Sequence, residues 1–500
     1  PQMLLGLRRQ MLGPILPPTM RIYLVNPPKK YQVWAGVPDI FNGPDAYLFP
    51  PLGIMYLSSH LRANTGHEPL LFDCVERGWS AAEAAREVAA MRPGVLGVTA
   101  NSHNLVNVRE VIEEVRRLLP DVFVVIGGSH VTSFPEESAR FPGVDVAVRG
   151  DGEEILAALL DHLDAGTDWR GLDNLSFLHD GEAVVTARRE PTEDLDTFPF
   201  PDRAGLTPDR YYTPGMKEAR ATTVMSSRGC PFNCAFCSVP HKYRTRSAAN
   251  IVDELEYCNK ALGIREFHFI DDIFNITPER VIEISEEILA RSLDIYWGYK
   301  AGCTAVSEEM LRISRKAGCI RMHYGVETWS DAGLESLSKK ARLKDIRRAF
   351  TLTRAAGIRP IAYMIVGCPH ERTEDEVFNA VRFVKTLKPD YVVFSLYTPY
   401  PDAPIFDEGV RKGLWDADCW KTFMLNPTRE YDLPTVWNEH LDKDVLVKLL
   451  KQVHNRFYFS PEVLLRTGLS MRTVPEVVRL VRGGLILLKL QFLPSRSRRI

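Results

Sequence analysis

Five hundred residues, 45% hydrophobic and 25% charged, have the balance of a soluble globular protein and are too many for a single domain. The formal net charge of -2, from 62 Lys and Arg against 64 Asp and Glu, lacks the basic excess of a broad nucleic-acid binder. Nine cysteines, an odd number of which six stand alone, argue against a disulfide framework and for a reducing, cytoplasmic compartment.

Residues 1–20 contain apolar and basic residues but no sustained apolar core or small-residue cleavage site, so they read as an N-terminal extension and not as a signal peptide. From residue 21 to 165, strand-like runs alternate with helical stretches. "RIYLVNPP", "EPLLFDC", "VLGVTANS", "VFVVIGGS" and "VDVAVRGDGEE" are the strands; "GIMYLSSHLRANTG", "AAEAAREVAAMRPG" and "VNVREVIEEVRRLLP" are helices between them. Unbroken apolar strands separated by helices predict an α/β, doubly wound (Rossmann-like) parallel sheet of about five strands. Ligands in such sheets sit at the carboxyl ends of the strands. Here those ends read "TANSHN", "GGSH" and "RGDGEE", whose small and polar residues let a ligand approach the backbone. The G-x-G-x-x-G dinucleotide fingerprint is absent after the first strand, which disfavours NAD.

Residues 166–220 read as a connector. Within it "DNLSFLHDGEAVVTARRE" predicts a hairpin with an Asp-Gly turn. From 221 to 405 the rhythm resumes with six strand candidates: "ATTVMSSRG", "EFHFIDD", "DIYWGYKAG", "IRMHYGVE", "RPIAYMIVG" and "DYVVFSLYTPYP". Six βα units predict a partial or complete β/α barrel with its site at the carboxyl ends of the strands. Residues 406–500 lack the alternation and read as a mostly helical region. Its "GGLILLKLQFL" run is half the ~20 residues that span a bilayer, and Lys489 interrupts it. With "SRSRRI" it forms a basic apolar tail for which a packed helix and a free end are favoured over membrane contact.

The densest chemistry is "SSRGCPFNCAFCSVP", Ser226 to Pro240, just after the first barrel strand. Cys230, Cys234 and Cys237 have C-x3-C-x2-C spacing. Three cysteines leave one unpaired in any disulfide scheme. Structural zinc takes four ligands, often as paired C-x2-C, and no second pair or H-x3-H lies nearby. Inert thiols are more often scattered through apolar segments. A [4Fe–4S] cluster on three thiolates leaves one iron open to a small-molecule ligand, and this is the favoured reading.

C-x3-C-x-aromatic-C, with Phe236 before the last cysteine, resembles the signature of the radical S-adenosylmethionine (SAM) enzymes, and it opens a run of six βα units as it does in that family. The resemblance implies SAM contacts along the barrel: Asp271 and Asp272 of "FIDDIFN" toward the methionine amino group, Glu327 of "GVET" toward the ribose, and Gly367 and Glu371 of "IVGCPHE" near the adenine. One of the two aspartates has the competing role of capping the next helix. Cys368 departs from the commoner Gly-Pro-Gly and reads as a packed small residue in preference to a substrate-side thiol. The resemblance also implies the chemistry: reduction of the cluster breaks the sulfonium, and a 5'-deoxyadenosyl radical abstracts hydrogen from an unactivated carbon.

With this barrel behind it, the first domain resembles the cobalamin-binding domain of the B12-dependent radical SAM family, and the combined likeness covers roughly residues 21 to 400. It implies cobalamin contacts at Pro51, Gly53, Thr99, Ser102, His103, Gly127, Gly128, Gly150 and Glu153. His103 and His130 lie in those loops and read as ordinary polar residues. The D-x-H-x-x-G motif is missing after the first strand, which implies base-off cobalamin without that histidine. The family points to methylation of an unactivated carbon of a small-molecule or lipid-like substrate, with methylcobalamin as methyl source and a flavodoxin or ferredoxin as one-electron donor, by a monomeric protein. Its alternative is an oxidative cyclase or ring-rearranging enzyme. A non-catalytic cobalamin carrier leaves the cysteine loop unexplained.

Overall fold

The computed structural model describes residues 20–30, 48–207, 210–211, 216–218, 220–428, 431 and 433–470. The basic apolar tail and the N-terminal extension lie outside these residues. The first sheet contains β1 (Arg21–Asn26), β2 (Glu68–Asp73), β3 (Val95–Thr99), β4 (Phe123–Gly127), β5 (Val146–Val148), β6 (Leu175–His179) and β7 (Glu182–Val185). Their order is β2-β1-β3-β4-β5-β6-β7. The first five strands are parallel. Alternate residues enter different cores. Ile22, Leu24, Val95, Val125 and Val146 pack against the helices Leu52–Asn64 and Glu153–Ala165. Tyr23, Val25, Leu96, Val98, Val124 and Ile126 pack against Ala81–Met91 and Leu105–Leu118 on the other face. Burial on both faces is why these strands read as unbroken apolar runs.

The expected hairpin forms at Asp180-Gly181, both with positive φ, as a two-residue primed turn requires. It does not stand apart in the connector: β6 pairs antiparallel with β5 and extends the sheet to seven strands.

The second sheet matches the six predicted strands one for one. The segment runs β8 (Ala221–Val224), the short ribbon β9 (Ser227–Arg228) and β10 (Arg244–Thr245), then β11 (Glu266–Phe269), β12 (Tyr296–Ala301), β13 (Cys319–Glu327), β14 (Arg359–Val366) and β15 (Tyr391–Leu396). The order β15-β14-β13-β12-β11-β8 is all parallel, and β8 and β15 do not pair, so the sheet is a curled, open half-barrel. Ser247, Thr277, Ser307 and Thr373 each accept a backbone N–H at the start of a barrel helix, caps worth about 1 kcal/mol each.

The region after residue 405 serves both domains. Phe406, Trp420, Phe423, Met424 and Leu433 join the core of the first sheet. Leu446, Leu449, Leu450, Val453 and Phe457 of the helix Lys443–Tyr458 join the barrel's outer core. Among the described residues no helix is long and apolar enough to cross a membrane.

Candidate functional site

The cysteine loop leaves β8 and is pinned at its base by the β9–β10 ribbon, where Arg228 faces Arg244 and Ser227 faces Thr245. Gly229 has φ +82°, and a Cβ there would lie 2.3 Å from the Lys242 carbonyl oxygen, so only glycine fits this crossing. The Cys230 amide donates to the Pro240 carbonyl at 2.9 Å, and the Cys237 amide to the Cys234 carbonyl at 3.1 Å. The Ala235 amide donates to the Leu337 carbonyl, and the Ala235 carbonyl accepts from Ile405, so main chain holds the loop from both sides. Phe236 inserts into a small apolar cluster with Leu337, Ile365, Cys368, Tyr397 and Trp437. The three loop thiols are half-buried, whereas the other six cysteines are buried. Burial raises all three, and Lys339 opposes the rise in each.

The acidic residues predicted to meet SAM divide into two kinds. Asp271 is buried, and its carboxylate accepts from the Ser226 amide at 2.7 Å, the Ser227 amide at 3.0 Å and the Ser226 hydroxyl. It organises the entry to the cysteine loop, with these three bonds divided between its two oxygens. Burial pushes its carboxyl up to about 6 against those hydrogen bonds. Neither aspartate caps the next helix, which Thr277 caps. Asp272, like Asp271, lines a cavity of about 610 Å³ at the barrel mouth. Its carboxyl is raised by the walls around it, against Lys300 and the Gly229 amide, and its charge acts on Cys230 and Cys237.

Glu327 ends β13 with φ +65° and accepts from Lys339 Nζ at 2.7 Å. Burial disfavours the Lys339 charge, but Glu327 and Cys234 overcome it and hold the ammonium above its usual range. Glu371 is buried, and it accepts from the Gly367 amide at 2.6 Å, the Cys368 amide at 3.0 Å and Trp329 Nε1 at 3.1 Å. It shapes the loop after β14 and is not an open ligand contact. Cys368 is 1% exposed with its thiol raised by burial, as a packed residue should be. Burial lifts the Glu371 carboxyl to about 7, above its ordinary 4.5. Its contribution to stability is full below pH 4.5 and is lost as pH rises through 7, up to roughly 3 kcal/mol. Glu371→Gln is therefore expected to flatten the fall in unfolding free energy between about pH 4.5 and pH 7, measured by urea denaturation.

In the first domain the loops after β3 and β4 interlock. The Ala100 amide donates to the Gly127 carbonyl at 2.7 Å. Gly128 has φ +135°, and a Cβ there would sit 2.4 Å from the Ala100 carbonyl oxygen. Thr99 ends β3, and Ser102 Oγ pairs with His130 Nδ1 at 2.8 Å. His130 is fully buried beside Phe134 and Trp420, and burial takes its pKa down to about 3. It is part of the core and does not face the cleft. Pro51 precedes the helix Leu52–Asn64, and open space surrounds the missing side chains of Gly53 and Gly150. His103 is held neutral by burial near Lys29. Glu153 is the clearest departure from expectation: its carboxylate binds Arg228 at 2.6 Å and so joins the domains. Asp151 binds Arg228 at 3.1 Å and Arg244 at 2.7 Å. The Arg228 guanidinium also lies over Tyr56 and Phe198. Thus the loop after β5 grips the base of the cysteine loop.

These residues fit the implied groups. The three loop thiols are half-buried and near enough for Cys234 to feel the charges of Cys230 and Cys237, as ligands grouped around one four-iron cluster would be. The close Gly128 crossing and the open faces at Gly53 and Gly150 make a cradle at the strand ends. Residues 40–160 match the B12 binding domain, and residues 224–384 match the radical SAM superfamily. The chain is a B12-binding radical SAM enzyme. Its cofactors are a [4Fe–4S] cluster, SAM and cobalamin. The enzyme is 29% identical to an uncharacterised methyltransferase of Pyrococcus horikoshii, over 83% of this chain and 89% of that one. It is 27% identical to the anaerobic magnesium-protoporphyrin IX monomethyl ester cyclase of Rubrivivax gelatinosus, over 83% of this chain and 75% of that one. Its fold is similar to that of the radical SAM methyltransferase TsrM of Kitasatospora setae, with TM-score 0.64 and 22% identity over 79% of this chain and 76% of that one.

Sequence reasoning missed Lys339, Arg228 and Asp151 in this radical SAM enzyme. Each is an ordinary charged residue in the chain and acquires its role from a partner distant in sequence. The "SSRGC" context of Arg228 was the one available signal. Gly128→Ala is expected to cost about 1–3 kcal/mol in backbone strain and to release cobalamin on gel filtration, followed by absorbance and thermal unfolding.

Proposed function

We propose that this enzyme methylates an unactivated carbon of a small-molecule or lipid-like substrate held between its two domains. The observation that carries the proposal is the joint of Arg228 and Arg244 with Asp151 and Glu153, which turns the strand ends of the first domain toward the cysteine loop. When bound, the cluster with SAM supplies radical hydrogen abstraction, and cobalamin supplies a transferable methyl group. Cys230, Cys234 and Cys237 would hold the cluster. Asp272, open to the cavity, would receive the SAM ammonium, and the Lys339 ammonium would meet its carboxylate while orienting Glu327 toward the ribose. Phe236 and the Gly367 loop would border the adenine. Thr99, Ser102, Gly127 and Gly128 would line the cobalamin tail, and His130, enclosed by Phe134 and Trp420, would stay in the core. A flavodoxin- or ferredoxin-type donor in the cytoplasm would deliver the electron.

The similarity to the cyclase favours a second reading, in which the same cofactor pair oxidises and closes a ring. Anaerobic reconstitution with candidate substrates and product mass decides between them. A gain of one CH2 supports methylation, and a product without added carbon overturns it.

A further inference from the structure

The two faces of the half-barrel differ in chemistry. Phe267, Phe269, Trp297, Tyr299, Met322, Tyr324, Ala362 and Met364 turn outward into the core under the helices. The residues alternating with them therefore turn to the concave face. Register places His268 beside Gly298, and Lys300 beside His323. Gly298 has no side chain, and the His268 and His323 rings meet with centroids 4.9 Å apart. Below them Arg321 reaches Glu266, and that pair, with the Lys217 and Glu218 amides on Glu266, closes the floor. Two residues beyond His268, just past the end of β11, Ile270 lines the cavity at the barrel mouth.

This concave surface is polar but incompletely paired. His268 is 7% exposed, and its Nδ1 has no hydrogen-bond partner among the described residues. Tyr363 meets His323 Nδ1 at 3.0 Å, while His323 Nε2 is buried and has no partner among them. Burial keeps both imidazoles neutral, with His323 down to about 3. Arg321 is neutralised by Glu266, but Lys300, whose charge both histidines and Asp272 feel, forms no ion pair among the described residues. Buried polar atoms left without partners are rare and costly, which marks this surface as built for a ligand. One cation and two neutral imidazoles able to donate N–H suit an oxyanion.

We propose that Lys300, His268 and His323 hold an oxyanion group of the substrate, a carboxylate or a phosphoryl, on the concave face of the barrel beneath the cysteine loop. The assignment rests on the reading that substrate is processed at this barrel mouth, and it narrows the substrate class to anions. Full-length protein labelled with 15N-histidine tests it, with the two resonances identified through His268→Phe and His323→Phe. Inorganic phosphate or butyrate is expected to shift both resonances saturably, and which of the two acts more strongly tells phosphoryl from carboxylate. Butylammonium is expected to leave them unmoved. Lys300→Met should weaken the anion effect at least about tenfold, and Lys300→Arg should restore it. Absence of any anion shift in the wild-type protein, an equal shift with butylammonium, or an undiminished shift in Lys300→Met overturns the proposal. Cluster and cobalamin content, read by absorbance, reports separately on the cofactor reading and is expected to be unchanged in Lys300→Met.

Discussion

Cys234→Ala, purified and reconstituted anaerobically, is expected to lose the iron–sulfur absorption and all reductive cleavage of SAM while unfolding at nearly the wild-type temperature. The two outcomes separate because the loop's shape does not depend on the thiol. Main-chain bonds from Cys237 to Cys234, from Ala235 to Leu337 and from Ile405 to Ala235 hold it, and the thiol is only half-buried. A substitution of this kind outside the core changes stability by about 0.5 kcal/mol. The cluster has no such tolerance, because with three ligands each thiolate holds one iron. Iron and sulfide analysis, absorbance and detection of 5'-deoxyadenosine check the result. A variant that still cleaves SAM reductively removes the cysteine loop from the chemistry.

The fold was legible because both sheets announce themselves by period. Each barrel strand coincides with an apolar run, and the Ser or Thr that begins the following helix is visible as a cap, as with Ser247 and Thr373. The Asp180-Gly181 turn was equally readable, though its pairing with β5 was not, since an edge strand has no local mark of its partner. The three cysteines proposed to hold the cluster stood out by their spacing and by the βα run behind them, and the structure keeps them in one half-buried loop. The acidic residues were legible in place but not in use. Asp271, Glu153 and Glu371 lie at strand ends where ligands bind, yet backbone amides or an arginine satisfy their carboxylates. Whether a strand-end carboxylate is open, as Asp272 is, depends on partners dozens of residues away. The C-terminal region was read as separate because no local pattern reveals that Trp420 packs on one domain and Leu450 on the other.

Glu254→Leu is expected to be the most destabilising single change in the barrel, and it shows how the connector holds the molecule together. Glu254 has no exposure, and its two oxygens divide between Arg203 at 2.7 Å and Arg246 at 2.5 Å. Arg203 comes from the connector and also donates to the Thr223 carbonyl of β8. Arg246 lies just after the β9–β10 ribbon and donates to the Met225 carbonyl at 2.9 Å, at the edge of the cavity. Removing the carboxylate leaves two buried guanidinium groups without a counter-charge. Breaking a buried pair in this way costs about 3–5 kcal/mol, which for domains of this size lowers the melting temperature by on the order of 10 °C. Glu254→Gln should cost less, because the amide oxygen still accepts from one arginine. Arg203→Leu combined with Glu254→Leu should fall short of the sum of the single effects, since the second change removes a charge already stranded by the first. Thermal unfolding of the wild type and the four variants checks both expectations. Additive losses would mean that Arg203 is anchored by β8 alone and that the carboxylate does not tie the connector to the barrel.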